Sequence, residues 1–216
     1  MAGLWDRLRR QPSAADGLDP MLYMHIKRLA FQYRDRFAVD PARGTTYPAA
    51  LLTAEHLEEL LAATGPLDFE ARSGGGDTST LVVVDRWGNA VSWVQSLFED
   101  FGSGVVSPST GVVMHNRLYL ESLSGDPWRG LKAGMRPFHT LCPALLVANE
   151  CEMAIATPGD HGQPQSIFQV LVKTYGEGMN IQAAIEAPRI RHDSGSELML
   201  ESRVPDQWMH AVDALH

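Results

Sequence analysis

The residue of this chain best placed to perform chemistry is Thr78, which lies between a glycine run and an apolar strand. Residues 73–77 read Ser-Gly-Gly-Gly-Asp, and residues 81–84 read Leu-Val-Val-Val. Three consecutive glycines suit a segment that adopts a strained conformation or that leaves after being cut. A threonine hydroxyl is a weak nucleophile, but a free α-amine on the same residue, with a pKa of about 7.7–8.0, can activate it as a base. We therefore predict self-cleavage between Asp77 and Thr78, which turns Thr78 into an N-terminal nucleophile.

The same segment also fits a purely structural interpretation. Residues 74–77 would then be a linker, and Thr78 an ordinary residue at the start of a strand, because glycine-rich loops often precede strands and threonine favours them. These few residues alone leave both interpretations open.

The elements that position Thr78 are predicted to be strands. Residues 81–84 are apolar and three of them are β-branched, which predicts a buried strand. Residues 86–89 read Arg-Trp-Gly-Asn and predict a turn, so residues 90–98 form the returning strand. Further short strands are predicted over residues 111–115, 144–148 and 152–157.

Helices are predicted on both sides of these strands. They cover residues 20–38, the segment from Thr53 to Gly65-Pro66, residues 166–175 closed by Gly176, and the segment from Asn180 to Glu186. The first has the clearest start, because Asp19 is a good N-cap and Pro20 suits the first helical position. Residues 1–18 are polar and rich in arginine, and we expect them to be frayed.

Composition limits the class of protein. The 216 residues are 44% apolar and 20% charged, which predicts one domain with a globular core. The net charge of −8 disfavours nucleic acid or an anionic membrane as a partner. The sequence has no run of about 18 apolar residues, and no apolar segment follows the arginines near its start, so we expect no membrane span and no signal peptide. A cytoplasmic location is then the default expectation.

Cysteine and histidine give no sign of a metal site. Cys142 and Cys151 are too few for a disulfide scaffold, and we expect buried thiols rather than a bridge, with a reducing compartment as the default. The eight histidines are scattered, and no metal-binding or nucleotide-binding motif is present. No metal and no cofactor are therefore expected.

A long ordered pattern runs from Asp77 to Gly111. Its residues are Thr78-Ser79-Thr80, Val83-Val84-Asp85, Gly88-Asn89-Ala90-Val91-Ser92, Phe101-Gly102-Ser103-Gly104-Val105-Val106 and Gly111. In this pattern the chain resembles the start of the small subunit of the gamma-glutamyltransferase (gamma-glutamyltranspeptidase) family. Residues 94–96, Val-Gln-Ser, ahead of the Phe-Gly-Ser-Gly loop, resemble the cephalosporin-acylase-like branch.

The resemblance implies a fold and a reaction. Family members are α+β proteins with the four-layer αββα sandwich of the N-terminal-nucleophile hydrolases, which we expect to be incomplete here. They are zymogens that cut themselves before a threonine, then transfer or hydrolyse γ-glutamyl or related acyl groups. The implied activity is glutathione hydrolysis and γ-glutamyl transfer, or glutaryl-type acylase activity, on a small-molecule amide.

The resemblance also assigns roles to residues. Thr78 would be the nucleophile and, through its amine, the base, and Ser96 would orient it. Gly159 would supply an oxyanion-binding N–H, since glycine-containing turns at helix starts can bind anions. Asp160 stands where a second glycine is usual, and its side chain could misplace that N–H or add negative charge. His139 and Thr140 stand where the classical enzymes have two serines near the substrate carboxylate.

Two differences from the classical family affect the expected substrate. Phe98 replaces an asparagine that follows the orienting hydroxyl residue in the classical family, and Leu120 replaces the acidic residue that holds the substrate's α-amine. Without that carboxylate, the ammonium of a γ-glutamyl group lacks its partner. An acyl group without the amine, such as glutaryl, would lose less binding, so acylase-like hydrolysis is favoured.

The resemblance covers about residues 20–203 and is truncated at both ends. It lacks the early large subunit, with its carboxylate-binding arginine, and the usual end of the small subunit. Residues 1–77 would correspond to the end of the large subunit and residues 78–216 to the catalytic small subunit, together forming one domain. The alternative is an inactive fragment or subunit that acts as a binding or assembly partner, in a homo-oligomer or with a complementing chain.

Overall fold

The computed structural model describes residues 1–10, 18–43, 49–62, 78–121, 123, 130–147, 151–195 and 197–213. The chain forms two compact units. We call them the helical unit, which is Met1–Ala71 with Phe168–His216, and the strand unit, which is Arg72–Ile167.

The described residues contain both helices and strands. The α-helices are α1 (Ala2–Leu8), α2 (Pro20–Phe37), α3 (Ala54–Ala62), α4 (Gln163–Leu171), α5 (Ile181–Glu186) and α6 (Asp206–Asp213). The strands are β1 (Thr78–Val84), β2 (Ala90–Ser96), β3 (Ala144–Val147), β4 (Cys151–Ile155), β5 (Ile190–His192) and β6 (Leu198–Leu200). Single turns of 3₁₀-helix lie at Pro41–Arg43, Ala49–Leu52, Arg117–Leu120 and Asp160–Gly162. The predicted α+β class is confirmed.

Helix α2 begins where the sequence predicts, because Asp19 caps it. The Asp19 carboxylate accepts hydrogen bonds from the backbone N–H groups of Met21 at 2.8 Å and Leu22 at 2.9 Å. Pro20 takes the first helical position, where a missing N–H is no loss. The helix ends at Phe37, so the prediction of a helix over residues 20–38 is confirmed.

The helical unit has an apolar core to which its first residues contribute. Its buried members are Leu4, Trp5, Leu18, Tyr23, Ile26, Leu29, Leu57, Leu60, Phe168, Val172, Ile190 and Val204. The prediction that residues 1–18 are frayed is wrong for residues 1–10, because Leu4 and Trp5 of α1 are buried in this core. Burying such a side chain stabilises a fold by roughly 1.5–3 kcal/mol, which outweighs the polar character of its neighbours.

Two shorter helices begin at their predicted caps. The Thr53 hydroxyl accepts a hydrogen bond from the His56 N–H at 3.4 Å before α3. The Asn180 side chain accepts one from the Ala183 N–H at 2.9 Å at the start of α5. The predicted stop of the first of these helices at residues 65–66 lies outside the described residues.

Helix α4 begins earlier than the sequence predicts. It starts at Gln163 rather than Ser166, and it continues after Leu171 as one turn of π-helix, Val172–Gly176. The predicted end at Gly176 is confirmed.

The strand unit contains two antiparallel hairpins. Strand β1 pairs with β2 in a register that runs from Thr78 opposite Ser96 to Val84 opposite Ala90, and β3 pairs with β4. The Ser92 hydroxyl links the hairpins by donating a hydrogen bond to the carbonyl oxygen of Ile155 at 2.8 Å. The predicted strands over residues 81–84, 90–98, 144–148 and 152–157 are confirmed to within three residues at each end.

The turn between β1 and β2 is also confirmed. The Asp85 carboxylate accepts hydrogen bonds from the N–H groups of Trp87 at 2.8 Å and Asn89 at 2.9 Å. One side chain therefore satisfies two donors of the turn, which fixes where the chain reverses.

The prediction that residues 81–84 are buried is wrong. All four side chains are exposed, from 43% for Val82 to 63% for Val84. Among the described strands β1 pairs with β2 alone, and strand propensity does not say what covers the faces of a strand.

The predicted strand over residues 111–115 is also wrong. The described segment forms only an isolated bridge between Val106 and Val113. Gly111 has a φ of +71°, a left-handed conformation that an extended strand cannot continue through.

In the part of the chain that the structure describes, no helix has the length and apolar character needed to cross a bilayer.

Candidate active site

The hairpin places Thr78 and Ser96 directly opposite each other. Thr78 opens β1 and Ser96 closes β2, and the two are register partners. Residues facing each other across an antiparallel pair have Cβ atoms about 4.5–5.5 Å apart, on the same side of the sheet. The structure thus brings together the two hydroxyl residues that the sequence singles out, while Asp77 lies outside the described residues.

Ser96 is held in place by the backbone that follows it. Its hydroxyl oxygen accepts a hydrogen bond from the Phe98 N–H at 2.9 Å. A serine hydroxyl that accepts one bond still has its own proton to donate. Among the described residues no hydrogen bond joins Ser96 to Thr78, so the orienting role expected of Ser96 stays a prediction.

The two departures from the classical family lie together. Phe98 and Leu120 form one buried cluster with Phe138, which we call the apolar cluster. Phe98 has a φ of +84°, which is uncommon for a large residue, and it is held there by the bond to Ser96 and by its 3% exposure.

A tight loop connects β2 to the residues that follow. Gly102 has a φ of +57°, and a Cβ at this position would lie 2.5 Å from the Met114 carbonyl oxygen. That oxygen instead accepts hydrogen bonds from both the N–H (2.9 Å) and the hydroxyl (2.8 Å) of Ser103. The loop therefore requires glycine at position 102 and closes on itself.

Asn116 ties the end of this loop back to β2. Its N–H donates to the Leu97 carbonyl oxygen at 3.1 Å, and its side-chain amide donates to the Glu99 carboxylate at 2.7 Å. Its amide oxygen accepts from the Glu99 N–H at 3.1 Å. These contacts fix the position of the next residue, Arg117.

Arg117 is a candidate site residue that the sequence interpretation missed. Its side chain is only 4% exposed, and its guanidinium carbon lies 5.4 Å from the centre of the Phe98 ring. Burial lowers the pKa of Arg117, and the charge of Asp160 opposes that change. Arginine nevertheless stays charged in proteins, so the strand unit contains a buried cation over the Phe98 ring.

The turn before α4 has left-handed backbone at two successive residues. Gly159 has a φ of +119° and Asp160 a φ of +51°, and the turn is closed by a 2.7 Å bond from the Gly162 N–H to the Gly159 carbonyl oxygen. Among the described residues, the N–H groups of Gly159 and Asp160 have no backbone acceptor. Successive N–H groups in such a turn can bind an oxyanion.

The Asp160 side chain does not block this turn by bonding to it. Both of its carboxylate oxygens are buried and have no hydrogen-bond partner among the described residues. The effect of Asp160 on the pKa of Arg117 places the two charges within electrostatic reach. The negative charge of Asp160 in this turn therefore lies within electrostatic reach of a buried positive charge.

The segment of His139 and Thr140 is anchored by two side chains. The Glu121 carboxylate accepts a 2.6 Å hydrogen bond from the Phe138 N–H, and the Gln163 side chain accepts a 2.8 Å bond from the Cys142 N–H. This segment therefore runs past both the apolar cluster and the start of α4.

His139 and Thr140 differ in environment. Thr140 is buried, whereas His139 is accessible, and desolvation together with the Arg117 charge lowers the pKa of His139. Neutral His139 therefore adds no charge near pH 7. In the described residues no hydrogen bond joins Thr140 to Thr78 or Ser96, so a role of Thr140 with substrate stays a prediction.

Across the described ranges, no group of three or more histidine, cysteine, aspartate or glutamate residues could hold a metal ion. Cys142 is a half-buried thiol, and the side chain of Cys151 lies outside what the structure describes.

Comparison with known proteins gives a consistent result. The family model described as "Gamma-glutamyltranspeptidase" matches residues 12–216. The oxamate amidohydrolase proenzyme of Klebsiella pneumoniae is 35% identical over 191 residues, which cover 87% of this chain and 36% of that protein. The glutathione hydrolase-like YwrD proenzyme of Bacillus subtilis is 35% identical over 174 residues, which cover 77% of this chain and 33% of that protein.

A solved structure is similar along nearly the whole chain. The cephalosporin acylase from Bacillus halodurans matches with a TM-score of 0.80 and 29% identity, over 98% of this chain and 40% of the acylase chain. This likeness confirms the N-terminal-nucleophile hydrolase fold that the sequence resemblance implies. The chain spans about a third of the length of the curated relatives that it matches.

Proposed function

Because the chain belongs to the gamma-glutamyltranspeptidase family, we propose that it is the catalytic part of an amide hydrolase or acyltransferase whose nucleophile is Thr78. The proposal includes cleavage of the Asp77–Thr78 bond, which frees the α-amine of Thr78. The observation that carries it is the register of the first hairpin, which sets Thr78 opposite Ser96.

In the proposed reaction the Thr78 hydroxyl oxygen adds to the carbonyl carbon of a small-molecule amide. The hydroxyl proton passes to the α-amine of Thr78, which acts as the base. The oxyanion that forms accepts hydrogen bonds from the backbone N–H groups of Gly159 and Asp160. Collapse of this intermediate breaks the C–N bond, and the leaving amine takes the proton from the α-amine.

The product of this step is an ester between the acyl group and Thr78. Water or an amine acceptor then adds to the ester carbonyl carbon and gives a proton to the same α-amine. The bond between that carbon and the Thr78 oxygen breaks, the Thr78 oxygen takes the proton back, and the acid or a new amide is released. Ser96 orients the Thr78 oxygen in both steps, because the Ser96 hydroxyl is itself held by a hydrogen bond from the Phe98 N–H.

We expect the acyl group to lack an α-ammonium. Leu120 stands where the resemblance implies an acidic residue for the ammonium, and it packs with Phe98 in the apolar cluster. The relative from Klebsiella pneumoniae is named for oxamate, an amide that also has no ammonium group, which supports the same preference.

A second candidate function is assembly with another polypeptide. The apolar side chains of β1 are exposed, and the chain spans about a third of its curated relatives. Further family sequence, in the same or another chain, would cover these strands and complete the site.

The catalytic proposal is tested by release of p-nitroaniline from glutaryl and γ-glutamyl p-nitroanilides. We expect the glutaryl compound to be hydrolysed faster, Thr78→Ala to abolish release, and the exposed neighbour Thr80→Ala to retain it. Release that survives Thr78→Ala, or its absence from the chain cut before Thr78, would contradict the catalytic proposal. The absence of release would leave assembly as the better account.

A further inference from the structure

Two opposite charges are buried in the strand unit without the hydrogen bonds that usually satisfy such groups. The Arg117 side chain is 4% exposed, and its Nη1 atom is buried and has no hydrogen-bond partner among the described residues. Both carboxylate oxygens of Asp160 are buried as well, and neither has a partner among those residues. A lone buried charge is costly because it has lost its hydration, and an opposite charge nearby lowers that cost.

Both charges adjoin the apolar cluster. The Arg117 guanidinium carbon lies 5.4 Å from the centre of the Phe98 ring. The ring of His161, the residue after Asp160, stacks on the Phe138 ring, with the ring centres 6.3 Å apart and the planes at 27°. Phe98 and Phe138 belong to the same buried cluster. One buried set of side chains therefore connects Arg117 to the turn that contains Asp160.

The other titratable groups around Arg117 do not balance its charge. The Arg117 charge adds to the larger effect of burial in lowering the pKa of His139, so His139 is neutral near pH 7. The Glu121 carboxylate accepts a hydrogen bond from the Phe138 N–H at 2.6 Å. The negative charge of Asp160 acts on Arg117 and raises its pKa, against the larger lowering by burial. Asp160 is therefore the residue that balances this buried cation.

Asp160 occupies a demanding backbone position. It has a φ of +51° and follows Gly159, which has a φ of +119°. The turn is closed by the bond from the Gly162 N–H to the Gly159 carbonyl oxygen at 2.7 Å. A residue with a Cβ is strained in the left-handed conformation, so an attraction from outside the turn is needed to keep Asp160 there.

We propose that Arg117 is a positioning residue that acts through Asp160. Their buried charge pair holds the turn at residues 159–162 in its left-handed conformation, and it neutralises the carboxylate that this chain has in a turn assigned to an oxyanion. The N–H groups of Gly159 and Asp160 then stay in place during the reaction. The use of the turn rests on the proposed function, whereas the charge pair does not.

Hydrogen exchange of the Gly162 N–H tests the pair, because this N–H closes the turn. Exchange is followed by NMR on the Thr78→Ala chain, which does not depend on turnover. The Asn89 N–H, which donates to the Asp85 carboxylate at 2.9 Å in another turn of the same unit, is the internal reference.

The two charges are removed singly and together. Arg117→Met keeps an unbranched side chain without the charge, and Asp160→Asn keeps the shape and the tolerance of left-handed backbone. We expect each single substitution to speed exchange at Gly162 at least about 10-fold relative to Asn89, because each leaves a lone buried charge. The double variant lacks both charges, and its exchange should return to within about threefold of the parent chain.

The control and the contrary results are equally specific. Arg86→Met, an exposed arginine over Trp87, replaces Arg117→Met in a second cycle, and its effect should simply add to that of Asp160→Asn. Additive effects of Arg117→Met and Asp160→Asn overturn the charge pair. Should Arg117→Met alone not fold, a folded double variant shows the same rescue, and a double variant that is also unfolded overturns the pair.

The positioning role is tested by hydrolysis of glutaryl p-nitroanilide in chains that keep Thr78. Arg117→Met should lower kcat at least about 10-fold and leave KM within about threefold, because an oxyanion is bound only in the transition state. Adding Asp160→Asn should restore most of kcat. A kcat that stays low while exchange at Gly162 recovers overturns the positioning role. Recovered exchange in chains that release no p-nitroaniline supports the charge pair and counts against the Thr78 reaction.

Discussion

The helical unit and the strand unit use their apolar residues in opposite ways. The helical unit closes Tyr23 and Ile26 of α2 into a core with side chains from α1 and α3. The strand unit buries the three residues of the apolar cluster and leaves the apolar side chains of β1 exposed. The helical unit is stabilised mainly by its own core. The strand unit is shaped by turns, hydrogen bonds and a buried charge around the candidate site.

The largest expected effect comes from removing core volume in the helical unit. Ile26 is fully buried, so Ile26→Ala leaves a cavity and should lower the free energy of unfolding by about 2–5 kcal/mol. Val83→Ala on the exposed face of β1 should cost less than about 1 kcal/mol. Urea unfolding followed by circular dichroism measures both. Equal losses would show that the two units do not differ as described.

The next effect concerns pH. Burial lowers the pKa of His192 in the helical unit from 6.5 to about 4, with the charges of Lys27 and Arg28 acting in the same direction. The hydrogen bond to Gly195 acts in the opposite direction. Between pH 6.5 and 4 the unfolded state therefore binds more protons than the folded state, so the free energy of unfolding falls as pH falls.

This contribution amounts to roughly 3 kcal/mol at most across that range. Urea unfolding at pH 7 and pH 4.5 measures the loss of unfolding free energy. In His192→Gln the free energies of unfolding at the two pH values should differ less. His139→Gln in the strand unit provides the comparison and should change the pH dependence much less, because His139 is accessible. A pH dependence of stability that stays unchanged in His192→Gln would contradict this assignment.

The smallest effect tests the backbone geometry of the strand unit. Gly102→Ala would put a Cβ 2.5 Å from the Met114 carbonyl oxygen, whereas Gly104→Ala, also at positive φ, would meet open space. Both substitutions add left-handed strain of about 1–2 kcal/mol. Gly102→Ala should cost at least about 1 kcal/mol more, because the clash adds to that strain. Thermal unfolding of both variants checks the difference, and similar melting temperatures would argue against a closed loop.

The sequence predicted most of what local chemistry determines. Asp19 followed by Pro20 is enough to locate the start of α2, since capping depends on neighbouring residues. The turn after β1 also depends on neighbouring residues alone, because the Asp85 carboxylate accepts hydrogen bonds from the N–H groups of the turn. The facing positions of Thr78 and Ser96 follow from that turn and from the lengths of the two strands.

What the sequence could not predict depends on distant neighbours. Leu4 and Trp5 are two apolar residues in a polar segment, and only the core of the helical unit makes them helical and buried. The burial of Arg117 depends on Phe98, nineteen positions earlier, and its electrostatic partner Asp160 lies far along the chain. An arginine among apolar residues after Asn116 was the available signal for it.

The measurement that tests the central claim most directly is the mass of the chain under denaturing conditions. We expect two fragments, residues 1–77 and 78–216, for the unsubstituted chain and for Thr80→Ala, and a single intact chain for Thr78→Ala. An unsubstituted chain that stays intact would contradict Thr78 as a nucleophile released by this chain itself. Cleavage that persists in Thr78→Ala would assign the cut to something other than Thr78.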